Sequence, residues 1–241
     1  MRATFSFVVA IAVVAVVAVT DAKPRQTPAE PSPAEKLLQD ARAVSLKGDI
    51  DGAFQRLDAA LRADPTFWQA IYYRAELHFQ QRRYESTLQD CAEILRMKPG
   101  LVAAVLLHAQ ANTKLGRNDE CLRELDQVVS HGNKKDVASL AVAYEMRAWL
   151  RATSPDANFR DGKQALIDAK QACKLSNDND AQSLDTLAAA YAEVGEFESA
   201  IDAEDRAIRA QMISDAFNMA TQDVFQKHLA SFKQHRPIRD E

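Results

Sequence analysis

Three cysteines, five histidines and 34 acidic side chains are the groups in this 241-residue chain that could carry chemistry. A nucleophilic thiol needs a lowered pKa at an accessible position, and a metal centre needs His, Cys or carboxylates at ligand spacing. Phosphate chemistry needs a glycine-rich loop at a helix start. The spacing supplies none of these. The histidines, His78, His108, His131, His228 and His235, are dispersed, which suits core or surface positions better than a ligand set. No H-E-x-x-H, C-x-x-C, G-x-G-x-x-G or G-x-x-x-x-G-K-S/T occurs. Carboxylates strewn along helix faces act as solvated charges or as partners three and four residues away. No catalytic residue, no metal ligand and no cofactor is therefore expected. A net charge of −4 with no basic stripe also excludes nucleic acid as a partner.

Any site must be positioned by helices. The chain holds 42 alanines but only seven glycines and eight prolines, and alanine is the strongest helix former. So few breakers argue against an all-β protein or an α/β enzyme rich in glycine loops. A hydrophobic fraction of 47 % is ample for a core.

Residues 3–20 carry no charge, follow Arg2 and precede Asp21, and small residues lie near Thr20-Asp21-Ala22. This is the pattern of a secretory signal over residues 1–22, with cleavage after Ala22. The alternative is an uncleaved anchor, because 18 uncharged residues lie at the short end of a bilayer span. Either reading exports the rest of the chain, to the periplasm or the exterior. Residues 23–33 hold Pro24, Pro28, Pro31 and Pro33 and form an extended linker. The folded part begins near Ala34.

From there the sequence repeats with a period of 34. Pro65 and Pro99 are one period apart. Windows 34–67, 68–101 and 102–135 bring Ala41, Ala75 and Ala109 into register at the eighth position, and Gly48, Arg82 and Gly116 at the fifteenth. The twentieth position holds Ala53, Thr87 and Cys121, and the twenty-fourth Leu57, Cys91 and Leu125. A fourth unit, 141–180, contains Ala148-Trp149-Leu150 and a longer joint, SPDANFRDG, in which Pro155 forbids helix continuation. A fifth, 181–214, places Leu184, Leu187, Ala188, Tyr191, Gly195, Phe197, Ala200 and Ala207 at pattern positions. Residues 215–241 keep a helical stripe through Val224, Phe225, Leu229 and Phe232 and end the stack as a capping helix and tail.

This chain resembles tetratricopeptide-repeat proteins, and residues 148–207 resemble a module of exported bacterial members of that family. The resemblance implies an all-α, right-handed α-α solenoid of about five helical hairpins with a C-terminal cap. It implies a non-catalytic interaction scaffold that binds a protein or peptide, extended or helical, in a concave groove lined by the first helix of each hairpin. Those positions hold Arg42, Tyr72, Glu76, Phe79, Gln110, Lys114, Glu145 and Trp149, with Asp185 and Glu193 further on. The clamp for chaperone tails found in some members needs Lys and Asn where this chain has Leu38, Arg42, Tyr73, Ala103 and Leu107, so that clamp is not expected. A docking subunit of a larger envelope complex is the alternative function, and a thiol-active enzyme a distant one. Cys91, Cys121 and Cys173 fall at inward positions of second helices and read as buried thiols, with a Cys91–Cys121 disulfide between neighbouring repeats as the alternative.

Overall fold

The computed structural model describes residues 30–133, 135–214 and 218–239. The expected signal segment, residues 1–22, and nearly all of the proline-rich linker lie outside them. Among the described residues there are eleven α-helices and no strand. They are α1 (Pro33–Ser45), α2 (Ile50–Ala63), α3 (Trp68–Gln80), α4 (Tyr84–Met97), α5 (Val102–Lys114), α6 (Asn118–His131), α7 (Val137–Thr153), α8 (Gly162–Leu175), α9 (Ala181–Glu193), α10 (Phe197–Ile213) and α11 (Met219–Lys233). None is long and apolar enough to cross a membrane. Two compact units divide within α6, one ending at Cys121 and the other starting at Leu122.

The helix boundaries follow from local chemistry. Ser32 and Glu35 form a reciprocal capping box ahead of Pro33, which sets the first helical φ of α1. Asp49, Asp136, Asp161 and Asp180 each accept a backbone N–H at the start of α2, α7, α8 and α9. The turns between paired helices need left-handed backbone, which Gly48, Gly116 and Gly195 supply at φ of +84°, +72° and +83°. Arg82 stands at the equivalent turn with φ of +59°.

The in-register positions on the helices point inward, while the fifteenth lies in the turn. Ala41, Ala75 and Ala109, Ala53, Thr87 and Cys121, and Leu57, Cys91 and Leu125 are buried to 1 % exposure or less. Small side chains there let paired helices approach closely, so α1 packs on α2, α3 on α4, α7 on α8 and α9 on α10. In the unit that ends at Cys121, Ala41, Ala53, Leu57, Ala60, Ala70 and Leu77 join the first hairpin to α3.

Arginines tie hairpins to the helix before them. Arg74 of α3 makes a two-pronged contact with Asp90 of α4, at 3.0 and 2.6 Å, and reaches Asp58 of α2 at 3.5 Å. In the other unit Arg147 of α7 does the same with Asp168 of α8, at 2.8 and 2.7 Å, and meets Asp126 of α6 at 2.6 Å. Arg151 adds a second contact to Asp168 at 3.0 Å.

The longer joint after α7 is held rather than loose. Pro155 follows the last turn, a short 3-10 turn spans Ala157–Phe159, and the Arg160 guanidinium donates to the Ser154 and Pro155 carbonyls. Arg160 also pairs with Glu193 of α9 at 3.2 Å. Gly162 starts α8 where a Cβ would lie 2.9 Å from the Val194 side chain and 3.0 Å from that of Glu193, so any larger residue would crowd the end of α9. The last helix, α11, packs on α10 and α9 and buries Phe225, Leu229 and Phe232 among Ala188, Leu187 and Trp149.

Candidate functional site

In the unit that ends at Cys121, one face of α3 carries three of the expected residues. Tyr72, Glu76 and Phe79 are separated by four and three positions and share that face, each half-buried. Tyr72 and Phe79 pack against Ala75, Cys91 and Leu107 and stay half-buried. Phe79 meets Tyr84 edge-on at 5.4 Å. The exposed Arg42 guanidinium of α1 lies 5.4 Å from the Tyr73 ring centroid and acts on Glu76. Gln110 and Lys114 lie half-buried on α5, which packs against α3.

Electrostatics single out Glu76. Burial pushes its carboxyl up to about 7, with Arg42 partly opposing the rise. The Tyr72 hydroxyl is pushed up as well, first by burial and then by the Glu76 and Cys91 charges. An acid that titrates near neutrality between two rigid aromatic rings can accept a hydrogen bond or pair with a cation from a bound chain.

The other unit treats its expected residues differently. Glu145 and Trp149 are each 7 % exposed and do not line an open groove. Over Trp149 the cause is α11, while Glu145 lies near Asp180 and Asp185. His228 lies 5.8 Å from the Trp149 ring and also contacts Phe232. Asp185 pairs with His228 at 2.7 Å, and Glu193 pairs with Arg239 of the tail at 2.8 Å. The C-terminal segment thus occupies the surface that the repeat pattern assigns to a partner. Burial, followed by the Asp180 and Asp185 charges, pushes Glu145 up to about 8.

The cysteines are buried thiols, and the Cys91–Cys121 bridge is not formed. Cys91 is packed with Ala75 and Leu107, whereas Cys121 lies 3.1 Å from the Thr113 hydroxyl. Cys173 donates to the Ser183 carbonyl at 3.3 Å, and burial pushes its thiol up to about 12. A thiol held protonated is a poor nucleophile.

The histidines are dispersed along the sequence and no acidic cluster stands out in it, yet Asp185, Glu204 and His228 converge from α9, α10 and α11. No spacing rule connects positions so far apart. Only the return of α11 brings them together.

No family model matches the chain. Among solved structures, a tetratricopeptide repeat protein from Parabacteroides merdae superposes with a TM-score of 0.62 at 16 % identity, covering 84 % of this chain and 73 % of that one. A thermophilic TPR protein of Thermus thermophilus gives 0.56 at 16 % identity over 83 % of this chain and 99 % of its own. The fold is the tetratricopeptide-repeat fold. MamA of Desulfovibrio magneticus shares it, with a TM-score of 0.58 at 13 % identity over 77 % and 99 % of the two chains. Among curated proteins, a tetratricopeptide repeat and J domain-containing co-chaperone of Fusarium oxysporum is 31 % identical over 108 residues, 44 % of this chain and 20 % of its own. Human DnaJ homolog subfamily C member 3 is 23 % identical over 203 residues, 68 % of this chain and 40 % of its own. The chain therefore spans well under half the length of these curated relatives.

Proposed function

We propose that the chain is a non-catalytic interaction scaffold that holds a peptide or helix of a protein partner on the α3 face. The supporting observation is the arrangement of Tyr72, Glu76 and Phe79, two anchored aromatic rings beside an acid, with Arg42 close to that acid. Half-buried aromatic residues fixed on a rigid helix have the character of binding hot spots. This reading places the groove on α1, α3 and α5 and leaves Glu145 and Trp149 to the core of their own unit. Residues 1–22 support export of the scaffold, or its attachment to a membrane by an uncleaved segment facing outward.

The test is affinity capture from an envelope extract with the unaltered chain and with Tyr72→Ala, followed by titration of each protein that the variant loses. Truncating a hot-spot ring costs about 2 kcal/mol, roughly thirtyfold in affinity. Circular dichroism should show unchanged helix content. Partners that bind Tyr72→Ala and Phe79→Ala as tightly as the parent would move the site off this face. N-terminal sequencing of the chain from its host decides the export reading: a start near Lys23 supports it, and a full-length soluble cytoplasmic chain refutes it.

A further inference from the structure

In the unit that starts at Leu122, three helices each bring one buried or nearly buried ligand-type side chain to a single point. Asp185 of α9, Glu204 of α10 and His228 of α11 offer an oxygen, an oxygen and a ring nitrogen that all lie within 4.8 Å of one another. We propose that these three residues form a binding site for one divalent first-row metal ion, with zinc as the probe.

Glu204 supplies the decisive observation. It is 0 % exposed, and apart from the Asp185 carboxyl neither of its carboxylate oxygens has a hydrogen-bond partner among the described residues. Its neighbour Asp185 is itself a carboxylate at 1 % exposure, and two carboxylates can only accept from one another unless a proton or a cation lies between them. The charges that bear on Glu204 come from Asp185 and Asp205, both of its own sign. Glu145 of α7, also buried, is a third carboxyl near Asp185. Two buried carboxyl groups beside an imidazole form a donor set that a divalent ion neutralises in one step.

Geometry and access agree with this. Tetrahedral zinc ligands at ~2.0–2.1 Å from the ion stand about 3.3 Å apart, so an ion needs the Asp185 Oδ1–His228 Nδ1 pair to open from 2.7 Å and Glu204 to move in on it from within 4.8 Å. One nitrogen with two oxygens is a donor set for zinc or manganese rather than for soft copper(I). The His228 side chain is 14 % exposed, so the site opens to solvent along the imidazole edge. A bound ion ties α11 to the last hairpin and over Trp149, which makes the position of the C-terminal helix depend on metal.

The experiment uses the full chain, stripped with a chelator and titrated with zinc at pH 7.5 against a chromophoric competitor, with metal content measured after gel filtration. The expected result is one zinc per chain and a melting temperature that rises with added zinc. Glu204→Gln, which keeps shape and removes the charge, and His228→Asn should each weaken binding at least tenfold while helix content stays at the parent value. Cobalt in place of zinc should give visible absorption bands that both variants lose. Absence of bound zinc in the unaltered chain overturns the proposal and leaves a proton shared between Asp185 and Glu204. Equal zinc binding by the parent and both variants overturns it too, because the ion then sits elsewhere. Should a variant fail to fold, stoichiometry and the cobalt spectrum of the unaltered chain decide the question alone.

Discussion

Arg82 holds a backbone conformation that its counterparts Gly48 and Gly116 reach without a Cβ. A left-handed φ costs a non-glycine residue about 1–2 kcal/mol, and glycine's extra freedom in the unfolded chain gives back about half of that. Arg82 is exposed, so little packing opposes the change. Arg82→Gly should therefore raise stability by about 0.5–1 kcal/mol in urea unfolding. A loss of stability would mean that the arginine makes a compensating contact. Glu76 carries the opposite kind of strain. Its carboxyl titrates at about 7 in the folded chain and near 4.5 when solvated. Between those values the folded state binds the extra proton, so the contribution of Glu76 to stability is full below pH 4.5 and is lost as pH rises through 7. Glu76→Gln stays neutral and should overtake the parent above pH 7, by on the order of 1–2 kcal/mol at pH 8. Parallel melting curves from pH 5 to 8 check this, and a constant gap between the two proteins would refute the role of burial.

At the scale of the helix pair, the same arginine tie appears twice, in Arg74 with Asp90 and Asp58, and in Arg147 with Asp168 and Asp126. Each arginine occupies the seventh position of its hairpin and each bidentate partner sits on the second helix facing it. The two ties differ in depth. Asp168 and Arg147 expose 1 % and 10 % of their side chains, against 8 % and 22 % for Asp90 and Arg74. Removing one member of a buried pair leaves the other charge without compensation, which costs about 3–5 kcal/mol. Asp168→Ala should lose that much, the more so because Arg151 and Gln164 also converge on this carboxylate. Asp90→Ala should lose less, about 1–3 kcal/mol, since water reaches Arg74. Equal losses from the two variants would show that depth does not set the cost. A further test at this scale concerns Ala188, which is fully buried on α9 where the last hairpin and α11 meet. Ala188→Leu should cost about 1–3 kcal/mol by overpacking.

The whole chain was legible in the sequence wherever a 34-residue register repeats a physical demand. Small residues at crossings, left-handed turns and paired helices recur, and the structure buries or bends each as the period requires. What the period could not show is where the final helix goes. The stripe of Val224, Phe225, Leu229 and Phe232 says that α11 packs one face, but not that it covers the first-helix positions Trp149 and Asp185. That contact joins residues far apart in sequence and outside the repeat, so Trp149 matched a groove position and became core. The arginine ties were missed for a different reason: they stand in only two of the hairpins, too few to register as a repeat. The two aromatic residues assigned to one surface should consequently behave in opposite ways. Trp149→Ala removes a side chain packed among Leu187, Ala188, Leu229 and Phe232 and should destabilise by about 3–5 kcal/mol. Helical hairpins pass strain chiefly to their neighbours, so α7, α9 and α11 should lose amide protection while α1 and α2 keep theirs. Tyr72→Ala leaves an edge ring's place open on α3 and should preserve protection in α9 and α11. Hydrogen exchange read peptide by peptide separates the two outcomes. If Trp149→Ala leaves α11 protected, the C-terminal helix is held by contacts other than this aromatic, and the covered groove is not part of the core.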